Sequence, residues 1–199
     1  MLGAMRDSPD LEEARNEALR KIGRNVVNFQ KMEGMLKLLN AEMKIEGSVR
    51  DLMRLRSVAL HTASKQPMGR LADAFLKQIY SAEDRARDSC TENEEVWVST
   101  SFRIEASAEV AKARKRALSA VVSERNMLIH RWLAAFDPNS IVSCKHLSAA
   151  LDRQHDKVWP ELEILQSMIR TFRGLSQELR KQIESGELPL EPEAADHGA

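Results

Sequence analysis

DLEEARNEALRKIGRNVVNFQKMEGMLKLLN, residues 10–40, is the stretch that decides the fold class. Its apolar residues are Leu11, Ala14, Ala18, Ile22, Val26, Phe29, Met32, Leu36 and Leu39. They recur every three or four positions, which puts them on one stripe of an α-helix about eight turns long. Asn40 is the expected end of that helix.

The same periodicity continues outward. Ser48 is a candidate N-cap for a second helix to about Lys65, with Leu52, Leu55, Val58 and Ala59 inward. Gln66-Pro67 interrupts it, and Pro67 suits the first turn of a third helix through Tyr80 that carries Leu71, Phe75 and Ile79. Residues 81–95 are polar and acidic and read as a loop. Val96 to Phe102 alternates in period two, as either a short extended segment or a stretched lead into the next helix, because a lone strand has nothing to pair with. A fourth helix is expected from about Glu105 to Phe136, closed by Asp137-Pro138-Asn139. Ser143 then caps a fifth to Ile183, with Leu147, Leu151, Val158, Leu162, Leu165, Ile169 and Phe172 inward and Pro160 kinking or splitting it.

Composition agrees with this layout. Hydrophobic residues make up 43% of the 199, enough for one core, and the 30% charged fraction suits helices with one wet face. Aromatics are only 5%, so the core must be aliphatic, with nine Met as adaptable filler. Thirty basic residues balance thirty acidic ones, so no global field draws the chain to nucleic acid or an anionic membrane, and any RNA contact must be local. Cys90 and Cys144 follow no metal spacing and are expected as free thiols in a reducing cytoplasm. No apolar run reaches the length of a membrane span. The expectation is an all-α bundle of four to five helices, with long N-terminal, motif-bearing and C-terminal members. It forms one domain over residues 10–183, with a flexible arm at 1–9 and a disordered acidic tail at 184–199.

The motif is Arg125-Asn126-Met127-Leu128-Ile129-His130, on the fourth helix. With Arg125 set at zero on a helical wheel, Leu118 and Phe136 fall near about 20°, Ile129 about 40°, Val122 about 60° and Trp132 about 340°. Arg125 therefore sits within the apolar stripe, with Asn126 and His130 bordering it one turn apart. A guanidinium there is costly unless it is paired, snorkels out to water or faces an anion. Arg56 and His61 share the Arg-x4-His spacing but lack the Asn, and are read as surface or packing residues. With 19 Arg, 5 His and 7 Asn in the chain, a chance Arg-Asn-x3-His is expected about 0.02 times.

Arg, a polar residue directly after it, then His, near the end of a long helix in an all-α bundle, resembles the HEPN superfamily. The motif covers six residues, and the helical layout agrees over roughly residues 10–175. The resemblance implies a dimeric, metal-independent endoribonuclease with Arg125, Asn126 and His130 as its catalytic set. It also implies an RNA substrate and, where such proteins are toxins or anti-phage effectors, an antitoxin partner. The residue types suit that chemistry. An imidazole can act as acid or base near neutral pH, and a guanidinium binds phosphate oxygens as a fork. One His per chain cannot easily be both acid and base in one step, whereas a two-fold dimer supplies two. Lys112, Arg114, Lys115 and Arg116, upstream on the same helix, could guide a phosphate backbone or form a solvated face. The competing readings are a non-catalytic regulatory dimer, with Arg125 sealed from water against an acidic group such as Glu33 or a partner's Glu124, and an RNA-binding module without catalysis. Asp152, His155 and Asp156 share a helix face but lack the Glu-x-x-His of a helical di-metal centre. No metal or cofactor is expected, and Trp132, Phe136 and Trp159 are read as packing residues.

Overall fold

The computed structural model describes residues 8–48, 50–80 and 97–185. The expected loop at 81–95 lies outside them, as do nearly all of the arm at 1–9 and the tail at 184–199.

The helix decided by the opening stretch is α1, Pro9–Glu42. Pro9 occupies the first turn, where its missing N–H costs nothing, and the Ser8 hydroxyl accepts the Leu11 N–H at 3.3 Å. Asn40 does not end this helix. Its amide donates to the carbonyls of Leu36, 2.8 Å, and Leu71, 2.9 Å, tying α1 to the third helix.

Next comes β1, Lys44–Ser48, then α2, Leu52–Ser64, and α3, Met68–Ile79. Ser48 closes a strand and turn instead of capping α2, accepting the Asp51 N–H on its carbonyl at 2.9 Å. The segment at 97–101 is a strand, β2, Trp97–Ser101, and it has a partner. It pairs antiparallel with β1 in the register Lys44↔Ser101 to Ser48↔Trp97. The pairing extends into coil, where Phe102 N–H donates to the Met43 carbonyl, 2.9 Å, and Ile104 N–H to that of Ile79, 3.0 Å. A Cβ on Gly47 would lie 2.4 Å from Leu55 Cδ1, the far end of a flexible side chain that would have to turn aside.

Three helical segments follow: α4, Ala108–Met127; a π turn, Leu128–Trp132, running into the short α5, Leu133–Ala135; and α6, Ile141–Glu184. Ser107 caps α4 through the Val110 N–H, and Ser140 rather than Ser143 starts α6, accepting the Ser143 N–H on its hydroxyl at 3.3 Å. Pro160 neither splits α6 nor ends it. Proline removes the bond to the carbonyl of Asp156, but both residues lie on the exposed side, where water can replace the lost donor.

The architecture is all-α, a helical bundle with the two-stranded ribbon as an accessory. Residues 21–28 of α1 face 151–155 of α6 in parallel, while Arg114 and Glu124 of α4 face Glu161 and Gln154 of α6, antiparallel. Between them lies a largely aliphatic core of Met32, Leu36, Leu71, Leu118, Leu128, Leu151, Leu162 and Leu165, with the aromatic Phe75 among them. Among the described residues, no helix is long and apolar enough to cross a membrane.

Candidate functional site

The site is built on the end of α4. Leu118, Val121 and Leu128 are buried and hold one side of the rod against the core. Val122 meets the first turn of α3, where its Cγ1 lies 3.6 Å from a Cβ built on Gly69. Arg125, one turn further on, lies past that contact and is half-buried.

Beyond Met127 the helix widens. Leu133 N–H donates to the Leu128 carbonyl, five residues back instead of four. The sequence supplies a reason. Leu128, Trp132 and Phe136 recur every four residues, and so do Ile129 and Leu133. In an α-helix a spacing of four drifts about 40° per step, so these side chains would leave the core one after another. A turn with more residues cancels part of that drift. Leu128 is buried, and Ile129, Trp132, Leu133 and Phe136 all stay packed against the core. His130 lies within this turn and is exposed, as is Asn126 one turn before it.

The Arg125 guanidinium donates one hydrogen bond, Nη1 to Asn126 Oδ1, 3.2 Å. Among the described residues, no carboxylate lies within ion-pair distance of it. Two acids that could pair with it are engaged elsewhere: Glu33 takes Lys37 at 2.7 Å, and Glu124 takes Lys157 at 2.7 Å. His130 makes no hydrogen bond among the described residues.

Behind the motif, a buried polar relay joins three helices. Gln154 of α6, 1% exposed, donates to the Glu124 carbonyl at 2.8 Å and to Glu124 Oε2 at 3.2 Å. It accepts from Asn25 Nδ2 at 3.1 Å, and that amide also donates to the Leu151 carbonyl at 2.8 Å. The Glu124 carbonyl also takes the Leu128 N–H, so this relay reaches the residue where the π turn begins. Sequence reasoning missed both features. The spacing of four was the available signal for the turn, but a Gln on a helix face carries no signal of its contacts.

The remaining candidates divide. Arg114 is held in an ion pair with Glu161, 2.9 Å, mostly shielded from water, and so links α4 to α6 instead of reaching outward. Lys112, Lys115 and Arg116 are exposed. Arg56 is an exposed side chain bonded to Glu42, and His61 is exposed as well. Asp152, His155 and Asp156 do not converge. Asp152 takes Lys21 at 2.6 Å and Arg24 at 3.1 Å, and these two cations, Lys21 first, hold its carboxyl below the usual range. His155 meets Asn28 across the α1–α6 seam, its Nδ1 3.4 Å away, and lies 5.4 Å from the Trp159 ring. Among the described residues, no three His, Cys, Asp or Glu side chains group as a metal site. Cys144 is a free, buried thiol, and Cys90 lies outside the described residues.

No family model matches the chain, and neither a curated protein nor a solved structure does.

Proposed function

We propose that this chain is a metal-independent endoribonuclease that works as a two-fold dimer of the HEPN kind, the effector of a toxin–antitoxin or anti-phage system. The observation that carries the reading is that Arg125, a half-buried residue in the apolar stripe, has a guanidinium with no carboxylate partner among the described residues. Its fork is left with one neutral hydrogen-bond acceptor, and a phosphate supplies the missing charge in the bidentate geometry a guanidinium fits. The scaffold alternative needs Arg125 sealed in an ion pair, and both acids proposed for it are engaged with lysines.

In this reading His130 of one protomer takes the proton from a ribose 2′-hydroxyl. The 2′-oxygen bonds to phosphorus, the bond to the 5′-oxygen breaks, and the partner subunit's His130 protonates that leaving oxygen. The products are a 2′,3′-cyclic phosphate and a 5′-hydroxyl. The paired Arg125 forks stabilise the charge that develops on the phosphoryl oxygens, with Asn126 fixing the fork it bonds. The exposed side of α4 and α5 supports close pairing, because Ser119, Ala120, Ser123 and Ala134 are small and exposed.

The test is cleavage of total RNA by purified wild type and His130→Ala in the presence of a chelator. His130→Ala should lose cleavage while keeping its far-UV circular dichroism and its mass in solution. Cleavage by His130→Ala at the wild-type rate would remove the assignment.

A further inference from the structure

A groove of about 240 Å³ opens where the end of α4 and the π turn meet α6. Met127 and the half-buried Trp132 give it an apolar wall, and Arg153, Gln154 and Lys157 stand opposite with Glu124. The charge of Glu124 is already offset by Lys157 on one oxygen and Gln154 on the other. Arg153 is exposed and, among the described residues, has no ion pair or hydrogen bond; Asp156, on the neighbouring face of α6, pairs with neither cation. The indole N–H of Trp132 meets no acceptor among the described residues, yet no buried side-chain polar atom is left unsatisfied. That N–H is therefore open to solvent. The groove thus offers an aromatic wall with a free donor, an uncompensated cation in Arg153, and one turn of α6 further on Lys157, which is paired with Glu124.

That combination suits a flat heterocycle bearing acceptors, joined to an anion. Resting on the ribonuclease reading, we infer that the groove holds the nucleotide next to the cleaved bond. Its base lies against Trp132, and its phosphate meets Arg153 and Lys157. Ser123 and Met127, one turn apart on α4, both line the groove, and His130 lies three residues further on, in the π turn. A strand with one base in the groove places its neighbouring phosphodiester at this end of α4, where His130 is exposed. A polypeptide occupant has less to gain, because the free partners here are a cation and an aromatic donor, and single-stranded nucleic acid is bound by that pairing of stacking surface and positive charge.

The test uses the full chain and a short, dye-labelled 2′-O-methyl oligoribonucleotide, which lacks the attacking hydroxyl, with anisotropy read over a range of salt. Wild type should bind it. Arg153→Gln changes an exposed side chain and should weaken binding about tenfold while lowering the slope of log affinity against log salt by about 1. Trp132→Leu should weaken binding about tenfold with the slope unchanged, since stacking carries no counter-ion. Wild type that does not bind, or Arg153→Gln within about twofold of wild type and with the same slope, overturns the inference. The parent reading fails separately: a His130→Ala protein that still cleaves RNA sinks the nuclease assignment, whereas the binding comparison between wild type and Arg153→Gln is read without any cleavage.

Discussion

Replacing Gln154 with Met keeps nearly the same volume and deletes three buried hydrogen bonds at once, so the substitution isolates the polar relay from packing. The two neutral bonds, from Gln154 to the Glu124 carbonyl and from Asn25 to Gln154, are worth about 1 kcal/mol each, and the bond to the Glu124 carboxylate about 2. Part of this is recovered. Asn25 keeps the Leu151 carbonyl, the Glu124 carbonyl keeps Leu128 N–H, and the carboxylate keeps Lys157. The expected net loss is about 2–3 kcal/mol. In urea unfolding followed by far-UV circular dichroism, that lowers the midpoint by about 1 M with an unchanged slope, for a slope near 2 kcal/mol/M. A double-mutant cycle with Asn25→Leu should return a coupling of about 1 kcal/mol. Gln154→Met as stable as wild type would refute the reasoning, because the relay would then only break even against an apolar side chain.

Other outcomes follow from the same geometry. Arg125→Lys keeps the charge and loses the fork, and should lower kcat of RNA cleavage at least about tenfold with little change in stability; unchanged kcat would separate Arg125 from the reaction. Arg114→Leu strands Glu161 and should cost about 2 kcal/mol in urea unfolding, yet leave the salt dependence of RNA binding as it is; a lower salt slope would make Arg114 an RNA contact. Acid should loosen the α1–α6 seam. Across that seam Lys21, then Arg24, hold Asp152 below its ordinary value, while within α1 Arg20, then Lys21, hold Glu17 at about 2. Depressed carboxyls add stability above their unfolded values, near about 4, and lose it as pH falls through the folded ones. Tm of wild type should therefore drop more steeply below about pH 4 than Tm of Asp152→Asn. The difference should be small, since the Asp152 side chain is 45% exposed and solvent screens it; parallel curves would remove Asp152 as a source.

The long helices were legible because each carries an uninterrupted stripe, from Leu11 to Leu39 and from Leu147 to Phe172. Their ends were less so. Ser48 and Ser143 are good capping residues by type, but Ser48 lies in a strand and Ser140 begins α6. The ribbon was half legible: Trp97–Ser101 alternates, whereas its partner Lys44–Ser48 contains a glycine and two charged residues, and a pairing across about fifty positions leaves no local trace. At the site, the wheel set Arg125 within the apolar stripe and His130 at its border, and the structure leaves Arg125 half-buried and His130 exposed. It could not show that Arg114 would meet Glu161, or that Asp152 would be taken by Lys21 and Arg24, because such pairings depend on which helices pack together.

The central claim is that one reaction centre draws an imidazole from each of two chains, and subunit mixing tests it most directly. Wild type and His130→Ala are unfolded together, refolded at equal amounts and assayed for RNA cleavage at fixed total protein. If both imidazoles are required, only dimers of two wild-type chains are active, and activity should fall to about one quarter of the all-wild-type value. About one half, in proportion to the wild-type chains present, would mean that each chain acts alone, and would contradict the account.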